Sequence, residues 1–186
     1  MLDSQDDQVI YEVLKGDADA FRSLVQKYQK PIFNLAYRAT GSLQAAEDLT
    51  QETFLKAYDR LESYRAGKRF FSWLYAIALN ITRDHIRARK RRPGDGKSSA
   101  STGFDFDRIP KPSDDTSHWA DIQSLFHALA QLSLEHREAI LLYYREGFTM
   151  KDIAQLFHIS VSGAKMRVHR GLEKLRNILK EEIHDG

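Results

Sequence analysis

Gly147-Phe148-Thr149-Met150-Lys151-Asp152-Ile153-Ala154-Gln155-Leu156-Phe157-His158-Ile159-Ser160-Val161-Ser162-Gly163-Ala164-Lys165-Met166-Arg167-Val168-His169-Arg170 is the stretch that decides the fold. Thr149 and Asp152 have the spacing of a capping box, in which a hydroxyl and a carboxylate satisfy the open N–H groups at a helix start. The helix they open is short, with Ile153, Ala154 and either Leu156 or Phe157 on its apolar side. His158-Ile159 makes a turn, and Ser160 caps a second helix. At about 100° per residue, Val161, Ala164, Val168, Leu172, Leu175 and Leu179 of that helix form one apolar stripe. Opposite it lie Ser162, Met166, His169 and Arg170, with Lys165 and Arg167 on the flanks. Two helices joined by a tight turn, the second exposed, form a helix-turn-helix of the kind that places side chains in the major groove of duplex DNA. Gly163 near the helix start permits close backbone approach, at a small cost in helix propensity. The same residues also suit an ordinary helical hairpin with a solvated basic face, and the stretch alone supports both readings.

Upstream, Trp119, Ile122, Leu125, Phe126, Leu129 and Leu132 lie on one helix. Ser133 then caps another helix, with Ala139, Ile140, Leu142 and Tyr143 turned inward, which ends near Gly147. Before residue 118 the composition changes. Three of the four prolines (Pro93, Pro110, Pro112) fall between Pro93 and Ser117, with Gly94, Gly96, Gly103 and the run Ser98-Ser99-Ala100-Ser101. Such a segment cannot bury a core and reads as a flexible linker over 93–117. Two modules follow, 1–92 and 118–186.

The first module also reads as helical. Val9, Ile10, Val13 and Leu14 make a short amphipathic helix that stops at Gly16. Asp17 caps a second, with Ala20, Phe21, Leu24, Val25 and Tyr28 on one face. It continues past Pro31 through Ile32, Leu35 and Ala36, and Pro31 is expected to bend or interrupt it. Gly41-Ser42 ends that pattern and caps a third helix, near Leu43 to Leu61. A polar break from Glu62 to Arg69 precedes a fourth, near Ser72 to Arg91, with Trp73, Leu74, Ile77, Ala78, Ile81 and Ile86 at helical spacing. Strand-like alternation is nowhere sustained, so the fold class is all-α: two small helical domains joined by a flexible linker.

The net charge of +2 hides a local excess. Residues 1–92 carry 16 basic and 12 acidic side chains, 93–117 carry 3 and 5, and 118–186 carry 9 and 9. The excess gathers at Arg83, Arg87, Arg89, Lys90, Arg91 and Arg92, which suits a phosphate-binding stripe or a solvated helix end equally. The absence of cysteine excludes disulfides, thiolate metal sites and cysteine nucleophiles. The seven histidines (His85, His118, His127, His136, His158, His169, His184) are scattered, none forming a His-Glu-x-x-His pair. No Gly-rich phosphate loop or nucleophile elbow is present, so no enzyme, cofactor, metal site or small-molecule substrate is expected. The acidic start, Met1 to Asp7, is unlike a secretory signal, and no apolar run approaches the ~20 residues of a membrane span. A cytoplasmic protein is expected.

The third helix has two faces. Ala46, Leu49, Thr53, Phe54, Ala57 and Leu61 point inward, while Asp48, Gln51, Glu52, Leu55 and Asp59 point outward. A leucine among acids on an exposed face suggests an interface. The break Tyr64-Arg65-Ala66-Gly67-Lys68-Arg69-Phe70-Phe71, followed by Trp73, mixes cations with rings. Those residue types hold unstacked bases, by stacking and by phosphate contact. They also build cores, and at least one of Phe70, Phe71 and Trp73 is expected to be buried.

These segments together resemble bacterial RNA polymerase sigma factors of the extracytoplasmic-function (ECF) class. Gly147–Ala154, Ile159–Ser162 and Lys165–Arg170 are similar to that family's −35-reading domain. Gly16-Asp17 with Ala20-Phe21, Ala46–Phe54 and Trp73–Asn80 are similar to its other domain, in the family's order. The resemblance implies that Asp48, Gln51, Glu52, Leu55 and Asp59 dock on the β′ clamp helices of RNA polymerase core enzyme, the β subunit being a further partner. It implies that the loop with Arg65, Lys68, Arg69, Phe70, Phe71 and Trp73 holds a base extruded from the −10 element. Asn80, Arg83 and Arg87 would then track the strand along the helix behind. It further implies that Ser162, Gly163, Lys165, Met166, Arg167, His169 and Arg170 read the −35 element. An anti-sigma factor, in many cases membrane-bound at the inner face, is the family's usual regulator.

The linker's 25 residues span at most ~80–90 Å when extended, and the two promoter elements lie roughly 70 Å apart, so one chain reaches both. One departure stands out. Family members commonly place a Gly-Thr pair and a β-branched residue early in the recognition helix, where this chain has Ser162-Gly163-Ala164. With Met166 on the same face, the −35 bases read here are expected to differ from those of relatives. The competing function is a stand-alone helix-turn-helix regulator, which needs neither the acidic face nor the aromatic-cationic loop.

Overall fold

The computed structural model describes residues 4–67, 69–91 and 119–184. Those residues form eight α-helices and two short 3-10 turns, with no strand among them. The chain divides into two units, Met1–Ser99 and Ala100–Gly186. The expected linker, 93–117, lies outside the described residues, as do Lys68, Arg92 and the side chains of Lys90, Trp119 and Ile122. No helix among the described residues is long and apolar enough to cross a membrane.

In the first unit, α1 (Ser4–Leu14) stops two residues before Gly16, whose φ of 111° only glycine adopts easily. Asp17 accepts the N–H of Ala20 at 3.2 Å and so caps the 3-10 turn Ala18–Ala20 that leads into α2 (Phe21–Thr40). Pro31 does not interrupt α2. Ile32, Leu35 and Ala36 beyond it are buried, and α2 packs along both other long helices, so tertiary contact outweighs the proline's lost N–H. Gly41, at φ 66°, ends α2, and Ser42 accepts the N–H of Ala45 to start α3 (Leu43–Asp59). A 3-10 turn, Leu61–Ser63, then leads to the loop before α4 (Phe70–Arg91). Here α4 begins two residues earlier than its spacing predicts, because Phe70 and Phe71 already pack inward. Ala36, Ala46, Leu49 and Ile81 make one core cluster, bringing α2, α3 and α4 together through small residues. Leu14, expected to face inward, is 50 % exposed at the last position of α1.

In the second unit, α5 (Trp119–Gln131), α6 (Leu134–Tyr144) and α7 (Met150–Phe157) all pack on the long α8 (Val161–His184). Ala128, Leu129, Leu132, Ile140 and Leu175 form its core cluster. Ser133 precedes α6 but makes no capping bond. Its hydroxyl meets His136 Nδ1 at 2.8 Å instead, a nearer partner that competes with the backbone. Tyr143, expected inside, is 38 % exposed.

Candidate functional site

Each step of the helix-turn-helix has a bonded partner. The Asp152 N–H donates to Thr149 Oγ1 at 3.2 Å, and the Thr149 N–H donates to the Asp152 carboxylate at 2.9 Å, completing the capping box. α7 ends at His158, which takes the left-handed conformation with φ 54°. Ser160 Oγ then accepts the N–H of Gly163 at 3.0 Å, opening α8.

On α8, Ser162, Lys165, Met166, His169 and Arg170 are all exposed, while Ala164 and Val168 are buried against the unit. Arg167 is half-buried, with its guanidinium 4.7 Å over the Phe157 ring, a cation–π contact that ties α8 to α7. A Cβ at Gly163 would lie 3.2 Å from Ser160 Oγ, so glycine here makes room for the turn itself. Val161, expected within the apolar stripe, is 45 % exposed at the first position of α8.

In the first unit, the loop before α4 rests on a floor of aromatic rings. At least one of Phe70, Phe71 and Trp73 is expected to be buried, and Phe70 and Phe71 are, at 0 % and 4 % exposed. Tyr28 stacks on Phe71 with ring centres 5.1 Å apart, and Phe70 meets Tyr28, Tyr64 and Trp73 within 5.8 Å. Packing claimed these two rings because they open α4 on its core-facing side. Trp73 is left half-exposed, Arg65 is exposed, and Arg69 is half-buried with its guanidinium 5.9 Å from the Phe71 ring. Asn80 and Arg87 are exposed and Arg83 half-buried along α4; Arg87 lies 3.7 Å from Asp84, with both side chains in solvent.

Two residues that composition presents only as an acidic start join this floor. Asp6, 2 % exposed, accepts bonds from the Tyr28 hydroxyl and from Lys27 Nζ, the latter at 2.8 Å. Asp7 accepts the Tyr64 hydroxyl at 2.8 Å and the Gly67 N–H at 3.1 Å. No local sequence pattern marks either residue, because the partners are far along the chain.

The outward face of α3 is as its periodicity predicts. Asp48, Gln51, Glu52 and Asp59 are exposed, and Leu55 among them is 68 % exposed. Among the described residues, no cluster of three or more His, Asp or Glu side chains is arranged to hold a metal.

Comparison with known proteins places both units. Residues 24–92 match Sigma-70 region 2 and residues 122–175 match Sigma-70 region 4. The chain is 33 % identical to the ECF RNA polymerase sigma factor SigW of Bacillus subtilis, over 92 % of this chain and 95 % of that protein. This chain belongs to the ECF sigma factors. It is also 33 % identical to the RNA polymerase sigma-H factor of Pseudomonas aeruginosa, over 98 % and 97 % of the two chains. Among solved structures it is similar to the sigma factor RpoE of Bartonella quintana, seen in complex with the anti-sigma factor NepR. That likeness has a TM-score of 0.69 and 27 % identity, and it covers 86 % of this chain and 96 % of the other. As an ECF sigma factor the protein directs RNA polymerase core enzyme to specific promoters, and its partners are that enzyme and promoter DNA. A stand-alone regulator is not favoured, since region 2 accompanies the helix-turn-helix on one chain.

Proposed function

We propose that residues 1–92 dock on core enzyme and hold the −10 element, that 93–117 link the two, and that 118–186 bind the −35 element. The observation that carries this reading is the α3 face, where Leu55 stays 68 % exposed amid Asp48, Gln51, Glu52 and Asp59. A leucine ringed by carboxylates suits a basic-rimmed apolar partner surface, such as the β′ clamp helices with the β subunit beside them. Arg65, Lys68, Arg69 and Trp73 would hold the bared −10 strand, with Asn80, Arg83 and Arg87 tracking it along α4. Phe70 and Phe71 act from below, as the floor. On α8, Ser162, Lys165, Met166, His169 and Arg170 would meet the −35 duplex, while Gly163 shapes the turn and Arg167 braces α8 on α7. The protein carries out no catalysis in this scheme; it binds, melts and anchors, and core enzyme polymerises.

A second chain that covers these faces would silence the factor, and the anti-sigma complex of the Bartonella relative supports such a partner here. A membrane-bound partner would hold the protein at the inner membrane face, and its release would return it to the cytoplasm. Run-off transcription with purified core enzyme on a genomic promoter library tests the whole reading. Asp48→Arg and Glu52→Lys should weaken core binding at least tenfold with the fold intact. Unaltered core affinity in both variants would sink the assignment of the α3 face.

A further inference from the structure

We propose that Asp7 is a positioning residue for −10 strand capture: reaching from α1, it sets the shape of the 64–67 loop through Tyr64 and Gly67. The inference rests on the reading that this loop holds the −10 strand.

Helix α1 precedes the segment that matches Sigma-70 region 2, which begins at residue 24. Its first turn nonetheless reaches the loop. One Asp7 carboxylate oxygen takes the Tyr64 hydroxyl at 2.8 Å and the other takes the Gly67 N–H at 3.1 Å, so the two bonds bracket Arg65 and Ala66. Gly67 holds φ 82°, a conformation that gives the loop its reversal and that a single backbone bond can select. Tyr64 is fixed from its other side by Phe70 and Trp73, with ring centres 5.5 and 5.7 Å away. Asp6 anchors the same turn of α1 to α2 through Tyr28 and Lys27, and Tyr28 stacks on Phe71. The loop is therefore clamped at both ends to one rigid frame. Burial and then the bond to Asp7 raise the Tyr64 hydroxyl above the ordinary tyrosine range, so it stays a donor. A loop whose shape is set before DNA arrives loses less conformational freedom on binding. An unclamped Gly67 would sample many shapes, and Arg65 and Trp73 would meet the strand in few of them.

The test uses holoenzyme assembled from core enzyme and the full chain. Its probe is a fluorescein-labelled non-template −10 oligonucleotide from a promoter selected by run-off transcription. Asp7→Ala should weaken strand binding about tenfold, Asp7→Asn less because one carbonyl acceptor remains, and Tyr64→Phe several-fold. Tyr64→Phe added to Asp7→Ala should cost little more, since the two share a bond. Core affinity and −35 duplex binding should stay unchanged. Equal loss of core affinity would make Asp7 a mere fold residue and overturn the proposal. Arg65→Ala separates the two levels. If it weakens strand binding while Asp7→Ala and Tyr64→Phe do not, the clamp idea fails alone; if none of them matters, the loop reading fails and the clamp with it.

Discussion

The backbone of Gly171 in α8 lies so close to Ile140 of α6 that a Cβ there would sit 2.9 Å from Ile140 Cδ1. Ile140 Cγ1 and His136 Cβ would follow at 3.3 and 3.4 Å. The glycine costs about 1 kcal/mol of helix propensity, and it allows α6 and α8 to touch. Gly171→Leu should therefore destabilise the protein by about 1–3 kcal/mol through overpacking. Gly171→Ala should couple to Ile140→Val, which removes Cδ1, by at least about 0.5 kcal/mol in a double-mutant cycle. Denaturant unfolding of the full chain measures both.

His158 is the one non-glycine residue with positive φ among those described, and it sits at the turn of the helix-turn-helix. Its left-handed backbone disfavours any Cβ. His158→Gly should stabilise the protein by up to about 1 kcal/mol, and His158→Val should destabilise it by about 1–2 kcal/mol. Thermal unfolding should rank glycine above histidine above valine. A valine variant as stable as the parent would mean that the turn has another shape in solution.

Leu55 offers a separation of function. At 68 % exposure it contributes little to the fold, so Leu55→Ala should change stability by no more than about 0.5 kcal/mol. If Leu55 is the apolar centre of the docking face, core affinity should drop by about 1–2 kcal/mol. Calorimetry on the free chain and titration against core enzyme give the two numbers.

Two of the buried tyrosines, Tyr28 and Tyr64, predict an alkaline limit. Burial first, and then the bonds to Asp6 and Asp7, push the Tyr28 and Tyr64 hydroxyls above the usual tyrosine value near 10. The folded chain keeps two protons that an unfolded chain gives up. Their stabilisation is thus complete below about pH 10 and falls as pH rises beyond it. Absorbance at 295 nm should show a late ionisation step that coincides with loss of helical circular dichroism. Tyr28→Phe and Tyr64→Phe should each remove part of that step.

The all-α fold was legible because its punctuation is local. Asp17, Ser42, Thr149 with Asp152, and Ser160 all bond within three residues, and Gly41 and Gly147 take the left-handed φ that ends a helix. The exposed faces of α3 and α8 followed from helical spacing alone. Other features depend on tertiary partners that spacing does not reveal. Phe70 and Phe71 suit a base or a core equally, and the Tyr28 ring decides between them. Pro31 obeys the helices packed against α2 rather than its own preference. Asp6 and Asp7 look like solvent-exposed charge until their distant partners are known.

The clamp also has a consequence in the order of synthesis. α1 leaves the ribosome before α2, α3 and α4, yet Asp7 finds its partners 57 and 60 residues later. Contacts that close so long a stretch of chain form late, and local opening breaks them early. On the proposed reading, a nascent or frayed chain can thus display the α3 face before the 64–67 loop is set. Readiness for the polymerase would then come before readiness for the promoter, and the amide of Gly67 is where the second arrival would register.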